Sequence, residues 1–370
     1  MSFLDSSFTS LLPYLQSADV PTLWIADENA LSALQHFEQD DYPLLSLITN
    51  RYDIYTLAKN KNINATFSDF NFDHFYENAK TDNSSAQVQR IIYRVSKEKA
   101  LTHYLLNQAC KLLHQQNSGS LGELILSGKK QEGIKSYQKK LLDTFECKGK
   151  LKKQGLDYSG VFSGFTIANN IPDSDYTSIQ HLPTPNHPHL KVYTKPGVFG
   201  WNKVDIGSEL LLESLPTILN ERKTAPQNIL DLGCGYGWIF TNLPFYLPEE
   251  SISRTTITAT DNNATALLCA EKNSMHHPLS VSITPDDCAQ NIDEKFDLIL
   301  CNPPFHQGFS HDKALTIKFL EQTKKHLIRK GIAVFVVNEF IQFPSKQLTL
   351  FTSQTIITKK NGFKVVTLTN

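Results

Sequence analysis

The sequence predicts an α/β protein built on largely parallel sheets, and three observations carry that prediction. Short apolar runs alternate with helix-like stretches, the pattern of strands joined by crossover helices. The alternation occurs twice, either side of a proline-rich stretch. The length, 370 residues, suits two domains.

In the first half, residues 22–26 (TLWIA), 43–48 (PLLSLI) and 90–96 (RIIYRVS) read as strands. A helix follows in KEKALTHYLLNQACKLLHQ, then a strand over 121–128 (LGELILSG) and a lysine-rich helix, KSYQKKLLDTF. Residues 169–196 hold five prolines and little helical periodicity, as in a linker with a short hairpin. In the second half an amphipathic helix covers 204–219. Strands follow at 227–237, which runs into a glycine turn, and at 254–263, 279–288, 296–305 and 331–340. The end of the chain reads as a hairpin whose Asn361-Gly362 pair supplies a type I′ turn. The expected division is 1–168, a linker over 169–196, and 197–370.

Composition narrows the class. Hydrophobic residues are 40% and charged residues 20%, as in soluble globular chains. Net charge is −1, so any nucleic-acid binding must rest on a local patch. No apolar run approaches the roughly 20 residues that cross a bilayer. The N-terminus lacks a basic region followed by a long apolar stretch, so no signal peptide is expected. The six cysteines show no CxxC spacing, which argues against zinc and for reduced core thiols of a cytoplasmic protein. No metal is expected, and a monomer is.

Two motifs carry chemistry. Asp231, Gly233, Gly235 and Gly237 follow a buried strand in the order DxGxGxG. Trp238 stands where a dinucleotide-binding GxGxxG would have its last glycine, so the turn is not built around a pyrophosphate. Its form resembles motif I of the Rossmann-like S-adenosylmethionine methyltransferases. Asp261, 30 residues after Asp231 and beside Asn262, ends the next strand and can accept ribose hydroxyls. Asp286 and Asp287 close the third strand, where that resemblance implies contact with the adenine ring. Any one of these acids alone reads equally well as a solvated loop carboxylate or a helix cap.

The second motif is Asn302-Pro303-Pro304-Phe305, ending the fourth strand. Two prolines remove two backbone donors and stiffen the chain. The Pro303 carbonyl and the Asn302 side-chain oxygen are then two acceptors close together. That pair suits an exocyclic amine: holding both hydrogens draws the nitrogen toward sp³ geometry, and its lone pair can attack a sulfonium methyl. Phe305 offers a face for a planar base. His306 can take the released proton, contact a phosphate, or be a polar loop residue.

NPPF resembles motif IV of enzymes that methylate planar amino nitrogens: adenine N6, glutamine N5 and guanine N2. NPPFH, together with KPGVFGWNKVDIGSELLLESLP at 195–216 and the closing NGFKVVTLT, is most similar to the RsmC family of 16S rRNA guanine-N2 methyltransferases. The RlmG family, acting on 23S rRNA, shares the layout. The resemblance implies two tandem Rossmann-like class I methyltransferase domains, the N-terminal one degenerate, with S-adenosyl-L-methionine as cofactor. It places Phe199, Asp205 and Gly207 near the cofactor or base pocket, and Asn302 beside both. Gly200-Trp201 departs from the Ser-Arg-like pair these families often carry. The implied partner is rRNA or the 30S subunit. A glutamine or adenine substrate, or a non-catalytic RNA-binding assembly factor, are the alternatives.

The first half has neither a glycine-rich turn nor NPPF, so its expected task is to grip RNA. Residues 129–153 hold nine lysines against Glu132, Asp143 and Glu146. Lys129, Lys130, Lys139, Lys140, Lys148, Lys150, Lys152 and Lys153 are the candidate phosphate contacts. The plainer reading of such a run is a solvated helix face.

Overall fold

The computed structural model describes the chain apart from residues 1–3, 79–86, 117–121, 167–169, 173–174, 185–186, 188, 221, 223–224, 305, 308–309 and 312, and the side chains of residues 78, 306, 307, 310 and 311. The chain divides into two compact units, Met1–Ser178 and Ile179–Asn370.

The first unit runs α1 (Leu12–Gln16), β1 (Thr22–Ile25), α2 (Ala30–Leu34), β2 (Leu45–Thr49), α3 (Tyr52–Asn60), β3 (Asn64–Phe67), α4 (Asp73–Asn78), β4 (Arg90–Arg94), α5 (Lys99–Gln116), β5 (Glu123–Lys129) and α6 (Ile134–Phe145). The short strands β6 (Lys148–Gly149) and β7 (Lys152–Gln154), and then β8 (Asp157–Ser163), complete its sheet. The sheet order is β3-β2-β1-β4-β5-β8-β6, with β7 also on β8. The first five strands are parallel and β8 runs against β5.

Strand residues alternate between two buried faces, as a parallel sheet covered on both sides requires. Leu23, Ile25, Ile91 and Tyr93 pack with α5 and α6. Trp24, Ala26, Leu47 and Ile92 pack with residues of α1, α2 and α3. At the carboxyl end of the sheet the N-terminal turn Ser6–Phe8 is tied down. Arg94, at the end of β4, pairs with Asp5 (2.8 Å) and Glu132 (2.7 Å), and Ser127 of β5 donates to the Ser7 carbonyl.

The second unit opens with an antiparallel pair, β9 (Gln180–Leu182) and β10 (Val192–Thr194), followed by α7 (Ile206–Asn220). Then come β11 (Asn228–Leu232), α8 (Trp238–Asn242), β12 (Thr256–Asp261), α9 (Ala264–Ser274), β13 (Ser280–Pro285) and β14 (Phe296–Cys301). β15 (His306–Gln307) pairs with β16 (Ser310–His311). The unit ends with α10 (Lys313–His326), β17 (Leu327–Asn338), α11 (Ser345–Leu348), β18 (Ser353–Lys360) and β19 (Phe363–Thr369).

The sheet order is β13-β12-β11-β14-β17-β19-β18. Counted within its sheet, it follows the same path as the first, which differs by the extra strand β7 on β8: five parallel strands, then antiparallel strands entered from the last of them. The duplication that the sequence only hints at is thus explicit in the topology. Asn361 (φ 54°) and Gly362 (φ 79°) are both left-handed, as the expected type I′ turn demands.

Candidate active site

Two structures meet at the carboxyl end of the second sheet. The first is the turn after β11. Asp231 is buried there; Oδ2 accepts the Phe240 N–H (3.2 Å), while Oδ1 has no hydrogen-bond partner among the described residues. Burial, with a smaller push from neighbouring Asp261, raises the Asp231 pKa to about 7. Gly235 is left-handed (φ 57°), and a Cβ there would meet nothing within 4 Å. Gly237 also needs to be glycine: φ is 88°, and a Cβ would lie 2.2 Å from the Phe240 ring. Gly233 (φ 75°) and Cys234 both donate to the Thr260 carbonyl, which ties the turn to β12. Asp261, half-buried at the end of β12, accepts from Gly235 N–H (2.9 Å) and Asn263 N–H (2.8 Å). Asn262 beside it is half-buried.

The second structure is the end of β14. Asp231 pairs with Leu300 in register, so the glycine turn and Asn302 leave neighbouring strands. The Asn302 Nδ2 donates to Asp205 Oδ2 (2.7 Å) and Ser208 Oγ (2.9 Å). Asp205 caps α7: the same Oδ2 accepts the Ser208 N–H (2.8 Å), and the Asp205 carbonyl accepts the Glu209 N–H. Gly207 in that first turn is buried; a Cβ would meet Asp205 Oδ2 at 3.1 Å and the Phe363 ring at 3.2 Å. Pro303 is buried and Pro304 exposed.

Comparison with known proteins gives this geometry its family. Residues 189–367 match the Methyltransferase small domain and residues 31–153 its N-terminal counterpart, Methyltransferase small domain N-terminal. A Haemophilus influenzae protein, ribosomal RNA small subunit methyltransferase C, is 30% identical over 288 residues, 77% of this chain and 80% of that one. The chain belongs to this family. The protein of the same name from Psychromonas ingrahamii is 29% identical over 88% of both chains. Among solved structures, the T. thermophilus 16S rRNA N2 methyltransferase RsmC, in complex with AdoMet and guanosine, covers 100% of this chain with a TM-score of 0.78 at 18% identity. That likeness extends the shared fold across both units. The chain is therefore a methyltransferase of the RsmC family, the one that NPPFH and the segment before motif I resemble.

Within this RsmC-family enzyme the expected site residues divide. Asp231, Gly233, Gly235, Gly237 and Asp261 converge through hydrogen bonds and neighbouring strands, as do Asp205, Gly207 and Asn302. Asp286, at the end of β13, is 1% exposed, and its two oxygens accept from the backbone of Gln290 and Asn291 (2.9 Å each), which orders the loop after that strand. Asp287 is half-buried and ion-paired with Lys318.

Phe199 stands 82% exposed on the loop before α7. Phe305 and the side chain of His306 lie outside the described residues. Lys140 lies 2.9 Å from His103 Nε2, and Lys129 pairs with Asp5 (3.6 Å). Lys130, Lys139, Lys148, Lys150, Lys152 and Lys153 are exposed. Sequence reasoning missed Ser208. A serine in the first turn of a helix signals nothing locally; only its contact with Asn302, 94 residues away, does.

Among the described residues no group of side chains could hold a metal ion, and no helix is long and apolar enough to cross a membrane.

Proposed function

We infer that this enzyme transfers a methyl group from S-adenosylmethionine to the exocyclic N2 of one guanine in 16S rRNA. The observation that carries the reading is the adjacency of the DxGxGxG turn and Asn302-Pro303-Pro304 on neighbouring parallel strands. Methyl donor and amino acceptor would thus share one cleft, at the strand ends where open α/β sheets bind ligands.

The residues fit the cofactor. Asp231 Oδ1, without a hydrogen-bond partner among the described residues, suits a cationic ligand, and the space over Gly235 admits one. Bound there, S-adenosylmethionine supplies a methyl on positively charged sulfur, so the acceptor needs only a lone pair. Asn302 Oδ1 and the Pro303 carbonyl would accept the two N2 hydrogens and localise that pair. The nitrogen so oriented would take the methyl carbon, and the sulfur would keep the electrons of the bond it gives up. The cationic nitrogen then loses a proton to solvent.

A guanine must leave its stack to arrive there, at a cost of a few kcal/mol. The exposed lysines of the first unit would hold RNA phosphates. That unit has Asp27-Glu28-Asn29 after β1 where the second has its glycines, which fits a retained fold without a cofactor.

The test is mass spectrometry of 16S rRNA from a deletion strain, with the purified protein added back to the unmethylated subunit. One N2-methylguanine should vanish and return. If every N2-methylguanine of 16S rRNA persists, the assignment is wrong; a loss confined to 23S rRNA would move the enzyme to the sister activity.

A further inference from the structure

The amide of Asn302 has only one workable orientation. A carboxylate accepts and never donates, so the Asn302 nitrogen must face Asp205 Oδ2; a flip would set oxygen lone pairs against each other. Its second N–H goes to Ser208 Oγ. Both donors are spent, and the planar amide directs Oδ1 away from them. Asp205 is itself immobilised, because the same oxygen receives the Ser208 backbone N–H as the cap of α7.

We propose that Asp205 and Ser208 are a positioning pair that aims the Asn302 carbonyl oxygen at the acceptor amine and strengthens it as an acceptor. The proposal rests on the reading of Asn302 given above and adds a task for two residues that the sequence assigned to cofactor binding or to none. The physics is charge assistance. An N–H bonded to a carboxylate pushes electron density through the amide to its oxygen. The hydrogens of the amine become more acidic as the nitrogen gains positive charge during methyl transfer. A stronger Oδ1 acceptor therefore gains more in the transition state than in the ground state, the condition for raising kcat rather than affinity. Asp205 takes no proton in this scheme; its charge acts through Asn302.

The experiment is a double-mutant cycle on the full-length enzyme, using single-turnover methyl transfer to small subunits from the deletion strain, with S-adenosylmethionine affinity by calorimetry and thermal midpoints. Asp205→Asn keeps a capping side chain and removes the charge. Ser208→Ala keeps the capped backbone N–H and removes one acceptor. Each should slow transfer at saturating substrates, by about 10–100-fold for Asp205→Asn, the usual scale for a group that holds a working residue in place. Cofactor affinity and thermal midpoint should stay near wild type. In an Asn302→Ala background both losses should largely disappear, because their target is gone.

An Asp205→Asn enzyme that loses cofactor affinity at unchanged kcat would overturn the proposal in favour of a cofactor contact. Full additivity with Asn302→Ala would overturn it too. If Asn302→Ala alone is fully active, the underlying reading of Asn302 fails instead. Should Asp205→Asn not fold, Ser208→Ala and its cycle with Asn302→Ala still decide the matter.

Discussion

Asp231, within β11, and Asp27, just after β1, are both buried acids near the carboxyl ends of the first strands of their sheets, and burial raises both to a pKa of about 7. Each has one oxygen without a hydrogen-bond partner among the described residues. The sign of the linkage follows. An unfolded chain ionises these groups near pH 4, whereas the folded one keeps them protonated to about pH 7. Over that window the unfolded state binds fewer protons, so their contribution to stability falls as pH rises and levels off above it. Denaturation midpoints between pH 5 and 8 should show the fall, and Asp27→Asn and Asp231→Asn should each flatten it. Cofactor binding runs the other way. A cationic ligand beside Asp231 favours the ionised form, so affinity should rise from pH 6 to pH 8, with proton release on binding below about pH 7. Calorimetry in buffers of different ionisation enthalpy measures that proton. If Asp231→Asn keeps the wild-type profile, Asp231 is not its source.

At the scale of elements, Gly235 and Gly237 belong to one turn but should fail differently. Gly237→Ala meets a left-handed φ and a ring 2.2 Å away, so it should lower stability by at least the 1–2 kcal/mol of the backbone term, with roughly 2–4 °C lost per kcal/mol in a domain of this size. Gly235→Ala pays only the backbone term, because its methyl would point into open space; it should spare most of the thermal midpoint and lower S-adenosylmethionine affinity. Equal stability losses with unchanged affinity would remove the cradle from the argument. This turn was legible in the sequence because backbone geometry itself selects glycine. The strands β1, β4, β5, β11 and β14 were legible for a related reason: burial on both faces writes a continuous apolar run. The strands β3, β6 and β7 were not, since they lie at or near a sheet edge and read NATF, KG and KKQ, with no apolar run. Nor could the sequence tell that Asp286 is buried and Asp261 only half-buried: both are acids at strand ends, and the loop that follows each strand sets its exposure.

The distribution of charge belongs to the whole molecule, because a chain of net charge −1 has no general attraction for RNA. Its concentrated cation lies on the edge of the first sheet. Lys148, Lys150, Lys152 and Lys153 follow one another through β6 and β7, all exposed and with no acidic partner among the described residues. Two physical readings compete. Lysines on an edge strand block pairing with another chain, and lysines on a surface release counterions when they meet phosphates. Salt dependence separates them. If all four contact single-stranded RNA, their replacement by alanine should make log(kcat/KM) against log(salt) shallower by about 3, at roughly 0.7 per contact. KM for RNA should rise at low salt while kcat and cofactor affinity hold, because those depend on the second unit. An unchanged slope with new aggregation would assign the lysines to edge protection and leave the RNA to be held elsewhere.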